Sequence, residues 1–309
     1  MRSATSHRLC RIAIIGVFLE SIILHAQTTS PLDLLKEEAA PGERISYGSG
    51  DFQFGELRVP AGTGRHPLVI LVHGGCWQAR IGKLPEAATS LDLLRPMAVA
   101  LAGEGVASWN VEYRRLGQQG GGWPGTFEDV GNAIDFVRTL APKYSLDLQR
   151  IVVVGHSSGG HLAAWAAGRH KLPADSTLRT AAPLRVAGVV VVDGPLDLET
   201  FIAIEQQVCG GPVVEQLLGG VPANLAARYR QASATGLLPI GTKQELLIAS
   251  KANESWTGAI RSYAATAEKA GDKVVVTMME NSGHFDGLNP KAPAWATVLA
   301  SLRSIIGPK

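Results

Sequence analysis

A serine flanked by glycines stands where a buried strand gives way to a helix. The segment Gly155-His156-Ser157-Ser158-Gly159 follows the apolar run Ile151–Val154 and opens a helical pattern. Small residues at such a turn let the backbone reverse tightly and leave the central hydroxyl outward as a nucleophile. We predict that Ser157 is that nucleophile, with the N-terminus of the next helix helping to hold an oxyanion. The alternative is an ordinary glycine turn with an N-capping serine.

A second glycine motif also follows a strand-like apolar run, in the sequence LVILVHGGCW over residues 68–77. Glycines directly after a strand leave backbone N–H groups free to point into a cleft, where they stabilise negative charge on a substrate oxygen. The expected donors are the amide of Gly74 or Gly75 and the amide of Ser158. His73 is interpreted as bracing this loop, because it precedes the serine in the chain.

The expected general base lies near the C-terminus. In enzymes with this serine turn the chain order is serine, acid, histidine, with the histidine on a loop after the last strand. His284 lies at that place, in the segment Glu280–Asp286. A surface loop histidine without a catalytic role is the alternative.

The sequence offers two carboxylates to orient this histidine. The acid of such a triad usually follows the penultimate strand, and Glu254 is the first carboxylate after the strand predicted over Glu245–Ala249. Asp193 ends the strand-like run Val189–Val192, one strand earlier, and is the second candidate. A carboxylate stabilises the imidazolium in a way that an amide does not, so Asn253 in the same region is a poor substitute. Both candidates remain open, with a solvated or structural carboxylate as the alternative for each.

Strand and helix patterns alternate through most of the chain. Runs such as Leu68–Val72 and Val189–Val192 are continuously apolar, which is typical of strands covered on both faces. Ile45–Tyr47 and Phe52–Val59 instead suggest an antiparallel pair near a sheet edge. The pattern predicts a single α/β domain over residues 27–309, with a mostly parallel, doubly wound sheet. Residues 196–241 interrupt the alternation and are expected to form a small cap of short helices.

The first 26 residues differ from the rest. Three arginines, Arg2, Arg8 and Arg11, precede the apolar stretch Ile12–Leu24, and small residues end at Ala26. This order predicts a secretory signal peptide cleaved after Ala26, and thus export to the periplasm or the exterior. An uncleaved membrane anchor is the alternative, although the stretch is short for a transmembrane helix.

The balance of basic and acidic residues indicates which kinds of binding partner to expect. Residues 1–26 carry three arginines and one glutamate; the remainder has 26 basic and 26 acidic residues. No basic stripe indicates a nucleic-acid partner, and we expect no stable membrane association after signal cleavage. No cofactor or metal is expected. In an oxidising compartment, Cys76 and Cys209 either form a disulfide or remain as two buried thiols.

These motifs resemble the α/β-hydrolase superfamily over most of residues 45–306. The HGGxW loop with GHSSGG is similar to the branch that contains arylformamidases, feruloyl and acetyl-xylan esterases and hormone-sensitive-lipase-like carboxylesterases. The resemblance implies ester or amide hydrolysis through an acyl-enzyme without a cofactor. It assigns the nucleophile to Ser157, the histidine to His284 and the oxyanion loop to Gly74 and Gly75.

The chain departs from that branch at the acid. Members generally read HG-x-x-D after the penultimate strand, whereas this sequence has Ala249-Ser250-Lys251-Ala252-Asn253. Some lipases of the superfamily place the acid one strand earlier, which resembles Asp193.

Three functions follow from these patterns. The leading one is a serine hydrolase that cleaves carboxylic esters of small or medium substrates. The alternatives are an arylformamidase-like amide hydrolase and a catalytically weakened hydrolase fold that binds a ligand. We expect the substrate surface in the cap and around Trp77 and Trp123, although Trp77 equally suits the core.

Overall fold

A computed structural model describes residues 28–80, 82, 84–85 and 88–308 of the chain. The signal segment predicted over residues 1–26 lies outside the described residues.

The described residues form one sheet of eight strands in the order β1-β2-β4-β3-β5-β6-β7-β8. The strands β1 and β2 run antiparallel to their neighbours, and all pairs from β4 to β8 are parallel. The predicted antiparallel edge pair and the mostly parallel sheet are confirmed. The strands are β1 (Glu43–Ser46), β2 (Phe54–Arg58), β3 (His66–Val72), β4 (Ala107–Val111), β5 (Leu146–His156), β6 (Gly188–Val192), β7 (Lys243–Ala249) and β8 (Val274–Met279).

Helices cover both faces of the sheet, as the alternating pattern predicts. In the described part of the chain they are α1 (Pro31–Lys36), α2 (Arg95–Gly103), α3 (Gly125–Asp135), α4 (Val137–Tyr144), α5 (Ser158–Gly168), α6 (Leu198–Cys209), α7 (Val213–Leu218), α8 (Pro222–Ala232), α9 (Glu254–Lys269) and α10 (Ala294–Ile306). The helices α6 to α8 occupy the segment predicted as a cap. None of the described helices has the length and apolar composition needed to span a membrane.

Alternate residues of the central strands enter two different hydrophobic cores. Along β3, Leu68, Ile70 and Val72 pack into the larger core with α3 to α9. Val69 and Leu71 pack into the other core, which α1, α2 and α10 cover. Each buried aliphatic side chain contributes about 1.5–3 kcal/mol relative to an exposed one. Burial on both faces is why these strands are apolar throughout instead of alternating.

The sheet order places the carboxyl ends of β3, β5 and β6 side by side. The chain leaves β3 for β4 on one side and returns to β5 on the other, so the loops that follow β3 and β5 diverge. In register, Gly155 of β5 lies opposite Val72 of β3 and Val191 of β6. Ligands of open α/β sheets bind in the crevice at such a point, outside the carboxyl ends of the strands.

Candidate active site

The turn between β5 and α5 holds Ser157 in a strained conformation. Its φ of 54° and ψ of −128° lie outside the regions that L-residues normally occupy. The backbone is too close for side chains at Gly155 and Gly159. A Cβ on Gly155 would lie 2.0 Å from the Gly159 carbonyl oxygen, and one on Gly159 would lie 2.1 Å from that of Val72. Glycine at these two positions therefore makes the sharp turn sterically feasible, as the sequence motif predicts.

The glycine loop after β3 lies directly against this serine. A Cβ on Gly74 would lie 2.8 Å from the Ser157 Cβ, and Gly75 has a φ of 110°. Ser158 is the first residue of α5, so its N–H has no partner within the helix. The amides of Gly75 and Ser158 have no backbone hydrogen-bond partner among the described residues. The N–H groups of Gly75 and Ser158 are therefore available as donors at the expected oxyanion site.

Buried polar contacts hold this glycine loop. The His73 Nε2 lies 3.0 Å from the Glu112 Oε1, and the His73 ring stacks on Tyr113 with centroids 4.3 Å apart. The Tyr113 hydroxyl donates to the His73 carbonyl oxygen at 2.7 Å. Burial by itself raises the pKa of Glu112, but interactions with His73 and Arg115 outweigh it and hold that pKa below its usual value. His73 therefore has the surroundings of a loop-bracing residue.

A carboxylate meets His284 at the end of β6. The His284 Nδ1 lies 2.5 Å from the Asp193 Oδ2. The other oxygen of Asp193, Oδ1, accepts hydrogen bonds from the Trp256 indole N–H at 3.0 Å and from the Ala249 N–H at 3.2 Å. When Nδ1–H donates to the carboxylate, Nε2 is the free acceptor of the ring. The carboxylate thus holds the His284 ring in the tautomer whose Nε2 is able to accept a proton.

Glu254 lies elsewhere. It is the first residue of α9 and its side chain is exposed, and no hydrogen bond or ion pair joins it to His284 in the described structure. Asn253 caps the same helix, because its Oδ1 accepts from the Trp256 N–H at 2.8 Å. Of the two carboxylates that the sequence leaves open, the structure brings only Asp193 to His284.

Two residues beside His284, His156 and Trp256, are not among the site residues predicted from the sequence. The His156 Nε2–H donates to the His284 carbonyl oxygen at 2.9 Å, and the two rings lie 4.5 Å apart. Burial, together with the neighbouring His284, holds the pKa of His156 well below its usual range, so His156 is neutral. Trp256, which donates to Asp193, lies 6.0 Å from the His284 ring. The only sequence signal for His156 is its place inside the glycine turn; Trp256 has none, because its contact depends on how α9 docks.

A disulfide ties the glycine loop to the cap. Cys76 and Cys209 are bonded, with Cα atoms 5.8 Å apart, so the pairing that the sequence leaves open is present. Cys76 belongs to the loop after β3, and Cys209 is the last residue of α6. The cap helix α6 therefore ends beside the glycine loop.

Ser157 and His284 line the same cavity, which has a volume of about 380 Å³. The cap contributes only Val208 to its described lining. Trp77 is fully buried in the larger core and Trp123 lines a different pocket, so neither forms the substrate surface expected from the sequence. The described lining consists of Ser30, Pro31, Leu32, Gly74, Gly75, Cys76, Gly82, Leu84, Ser90, Leu93, Leu94, His156, Ser157, Val208, His284, Phe285 and Leu288.

Comparison with known families gives a match over most of the chain. The BD-FAE family model matches residues 57–252, which include the glycine loop, Ser157 and Asp193. This chain belongs to the BD-FAE family. The family comprises esterases of the α/β-hydrolase fold, which identifies the chain as an enzyme with ester hydrolase activity.

Solved structures agree with the fold of this BD-FAE member. An acetyl ester-xyloside bifunctional hydrolase from Caldicellulosiruptor lactoaceticus superposes with a TM-score of 0.66 at 18% identity, covering 87% of this chain and 98% of that chain. Esterase B from Lactobacillus rhamnosis gives 0.70 at 17% identity and 88% coverage of both chains. The esterase Est2 from Thermogutta terrifontis gives 0.67 at 20% identity, covering 86% and 92%. A search of curated protein sequences gives no match to this chain.

Proposed function

We propose that this BD-FAE member is an exported serine carboxylesterase that cleaves esters of small or medium size through an acyl-enzyme. The observation that carries the proposal is the contact between Asp193 and His284 in a site that also holds Ser157. A hydrolase fold retained only for ligand binding has no need of this histidine–carboxylate hydrogen bond beside a strained serine. The same geometry favours ester hydrolysis over the binding protein that the sequence leaves open.

The proposed reaction begins with attack of the Ser157 Oγ on the ester carbonyl carbon. His284 Nε2 takes the serine proton, and the Asp193 carboxylate stabilises the resulting imidazolium. Backbone N–H groups of Gly75 or Gly74 and of Ser158 hold the oxyanion of the tetrahedral intermediate. His284 then protonates the departing alcohol. A water molecule, activated by the same histidine, attacks the acyl-enzyme and releases the carboxylic acid.

Labelling with a fluorophosphonate tests this mechanism. We expect one covalent adduct at Ser157 and hydrolysis of p-nitrophenyl butyrate. The Ser157→Ala variant is expected to lose the adduct and at least about 10⁴-fold in kcat. Ser262→Ala, an exposed serine on α9, serves as the matched control and should behave as the wild type. A folded protein that is not labelled at Ser157 would contradict the serine mechanism.

Export is part of the same proposal. The arginine-rich start, the apolar stretch and Ala26 support a cleaved signal, and the Cys76–Cys209 disulfide suits an oxidising compartment. We expect a small-molecule ester as the partner, with neither nucleic acid nor a membrane bound by the cleaved protein. The intact mass of protein recovered from its natural compartment should correspond to a chain that begins at Gln27. Recovery of chain that still carries residues 1–26 would contradict this expectation.

A further inference from the structure

The segment Thr28–Lys36, here called the N-terminal segment, forms part of the cavity wall. Ser30, Pro31 and Leu32 line the cavity that holds Ser157 and His284. The BD-FAE match begins only at residue 57, so the family comparison does not include this wall. The cap, where the sequence suggests substrate recognition, contributes less to the described lining than this segment does.

One buried carboxylate joins the N-terminal segment to the loop of His284. The Asp286 Oδ1 accepts from the Thr29 N–H, and its Oδ2 accepts from the Gly283 N–H, both at 2.7 Å. The Asn289 Nδ2 adds a hydrogen bond to the Thr29 Oγ1 at 3.1 Å. Hydrogen bonds to a charged acceptor are roughly twice as strong as neutral ones. The N-terminal segment is therefore fastened to the loop that carries the candidate base.

The other end of the segment is anchored in the core. Helix α1 begins with a capping box between Ser30 and Asp33, and Pro31 is its first residue. Leu34 is almost fully buried in the core beside α2. With anchors on both sides, Leu32 has a fixed position at the cavity although 45% of its surface is exposed.

The described lining suits an uncharged, apolar group. Leu84, Leu93, Leu94 and Leu288 surround the space, and the described lining residues include no aspartate, glutamate, lysine or arginine. Leu32 and Val208 are two of the large apolar side chains that stay exposed on the described surface, and both face this cavity. Exposed apolar surface that gathers at one place marks a binding region.

The position of the reacting groups assigns this space to the acyl part of the ester. The carbonyl carbon bonds to Ser157, while the leaving alcohol oxygen must lie at His284 to receive its proton. A second cavity of about 230 Å³ touches His284 but not Ser157, and is lined also by Lys251 and Asn253. Because Asp193, Ala249 and Trp256 also line it, this second cavity lies on the Nδ1 side of His284, away from the serine. The first cavity holds the serine to which the acyl carbon bonds, and its apolar lining suits a hydrocarbon acyl chain.

We propose that the N-terminal segment is the outer wall of an apolar acyl pocket, and that Leu32 determines which acyl chain lengths bind. The proposal rests on the serine esterase function proposed above. Leu32 packs against the distal carbons of a longer acyl chain, which an acetyl group does not reach. Asp286 acts as a positioning residue that keeps this wall in place.

The test is a series of p-nitrophenyl esters in which the alcohol stays constant and the acyl chain grows from acetyl to octanoyl. Leu32→Ala should lower kcat/KM for hexanoyl and octanoyl esters about threefold to tenfold through KM, because buried apolar contact is lost, and should affect the acetyl ester least. Leu32→Trp should shift the preference toward shorter chains. Val99→Ala serves as the matched control, since Val99 is 42% exposed on α2 and does not line the cavity.

Acyl-chain profiles of both Leu32 variants that superimpose on the wild type would overturn the proposal. In a companion series with a constant acetyl group and alcohols of increasing length, a Leu32→Ala effect that grows with the length of the alcohol would also overturn it. Failure of the esterase function itself is recognised separately, because the wild type would then show no fluorophosphonate adduct at Ser157. Normal labelling with unchanged chain-length profiles assigns the failure to the N-terminal segment alone.

The role of Asp286 in holding the N-terminal segment is tested by amide hydrogen exchange of that segment. Asp286→Asn replaces one of the two acceptor oxygens by a donor, so amide exchange over residues 28–36 should accelerate at least about tenfold, which corresponds to the loss of roughly one hydrogen bond. The preference for longer acyl chains should weaken in parallel. Unchanged exchange in a folded Asp286→Asn variant would overturn the role assigned to Asp286.

Discussion

Asp193 combines an unusual backbone conformation with a fully satisfied carboxylate. Its φ is 52°, and its own N–H donates to the Leu247 carbonyl oxygen. The carboxylate receives hydrogen bonds from Trp256 and Ala249 in addition to its contact with His284. A buried carboxylate is tolerated when such donors replace water. These hydrogen bonds hold the Asp193 carboxylate in one orientation, facing His284.

Substitution of the two candidate acids distinguishes their roles. Asp193→Asn should lower kcat about 10⁴-fold, because an amide does not stabilise the imidazolium and favours the wrong tautomer of His284. Glu254→Gln is the matched comparison and should stay within about twofold, since Glu254 is exposed at the start of α9. Initial rates on p-nitrophenyl butyrate measure both. A large loss in Glu254→Gln, or equal small losses in both variants, would exclude Asp193 as the acid.

At the scale of elements, the loop after β3 depends on support from the cap. Gly75, Cys76 and Trp77 all have positive φ angles, a conformation that costs energy in residues other than glycine. The Trp77 N–H donates to the Ser158 Oγ, and the disulfide from Cys76 ends in α6. Because this loop carries the expected oxyanion amides, its support bears directly on the site.

Removal of the disulfide should weaken both stability and activity. In Cys76→Ser/Cys209→Ser the free energy of unfolding should fall by about 2–4 kcal/mol, since the bond closes a loop between residues 133 apart. The kcat/KM on p-nitrophenyl butyrate should fall as well, because the loop and Val208 lose their tether. Urea denaturation and steady-state kinetics measure the two effects. Dithiothreitol should reproduce them in the wild type and add nothing in the double variant; equal activity before and after complete reduction would refute the coupling.

At the scale of the whole molecule, buried neutral histidines connect folding to pH. The His161 Nδ1 accepts from the Trp77 indole N–H at 3.2 Å, and its Nε2–H donates to the Ala232 carbonyl oxygen at 2.8 Å. Burial lowers the pKa of His161 to about 4. In the unfolded chain the pKa of a histidine is about 6.5, so unfolding takes up a proton between these two values.

The free energy of unfolding should therefore decrease as the pH falls from 6.5 toward 4, with His161 contributing a loss of up to about 3 kcal/mol. In His161→Gln this dependence should be shallower, because glutamine can keep both hydrogen bonds without titrating. Urea denaturation at pH 7.5, 6 and 5 measures the slopes. Identical slopes for the variant and the wild type would contradict the role given to His161.

The amino-acid sequence by itself determined the sheet and the serine turn. Continuous apolar runs identify strands buried on both faces, and the glycines around Ser157 are required by contacts within a few residues of the chain and with the adjacent strand. Such features are local, or repeat with the period of a strand, so they can be predicted without knowledge of the packing. The chain order of serine and histidine likewise placed His284 in the expected loop.

The tertiary structure decided which groups meet at the strand ends. Asp193 and Glu254 were equally open in the sequence, and the docking of β6 beside β5 and of Trp256 over Asp193 brings only Asp193 to His284. The Cys76–Cys209 bond and the docking of the N-terminal segment on Asp286 also join residues far apart in the chain. Side-chain proximity of this kind depends on how helices and loops pack on the sheet, and the periodicity of a sequence carries no information about it.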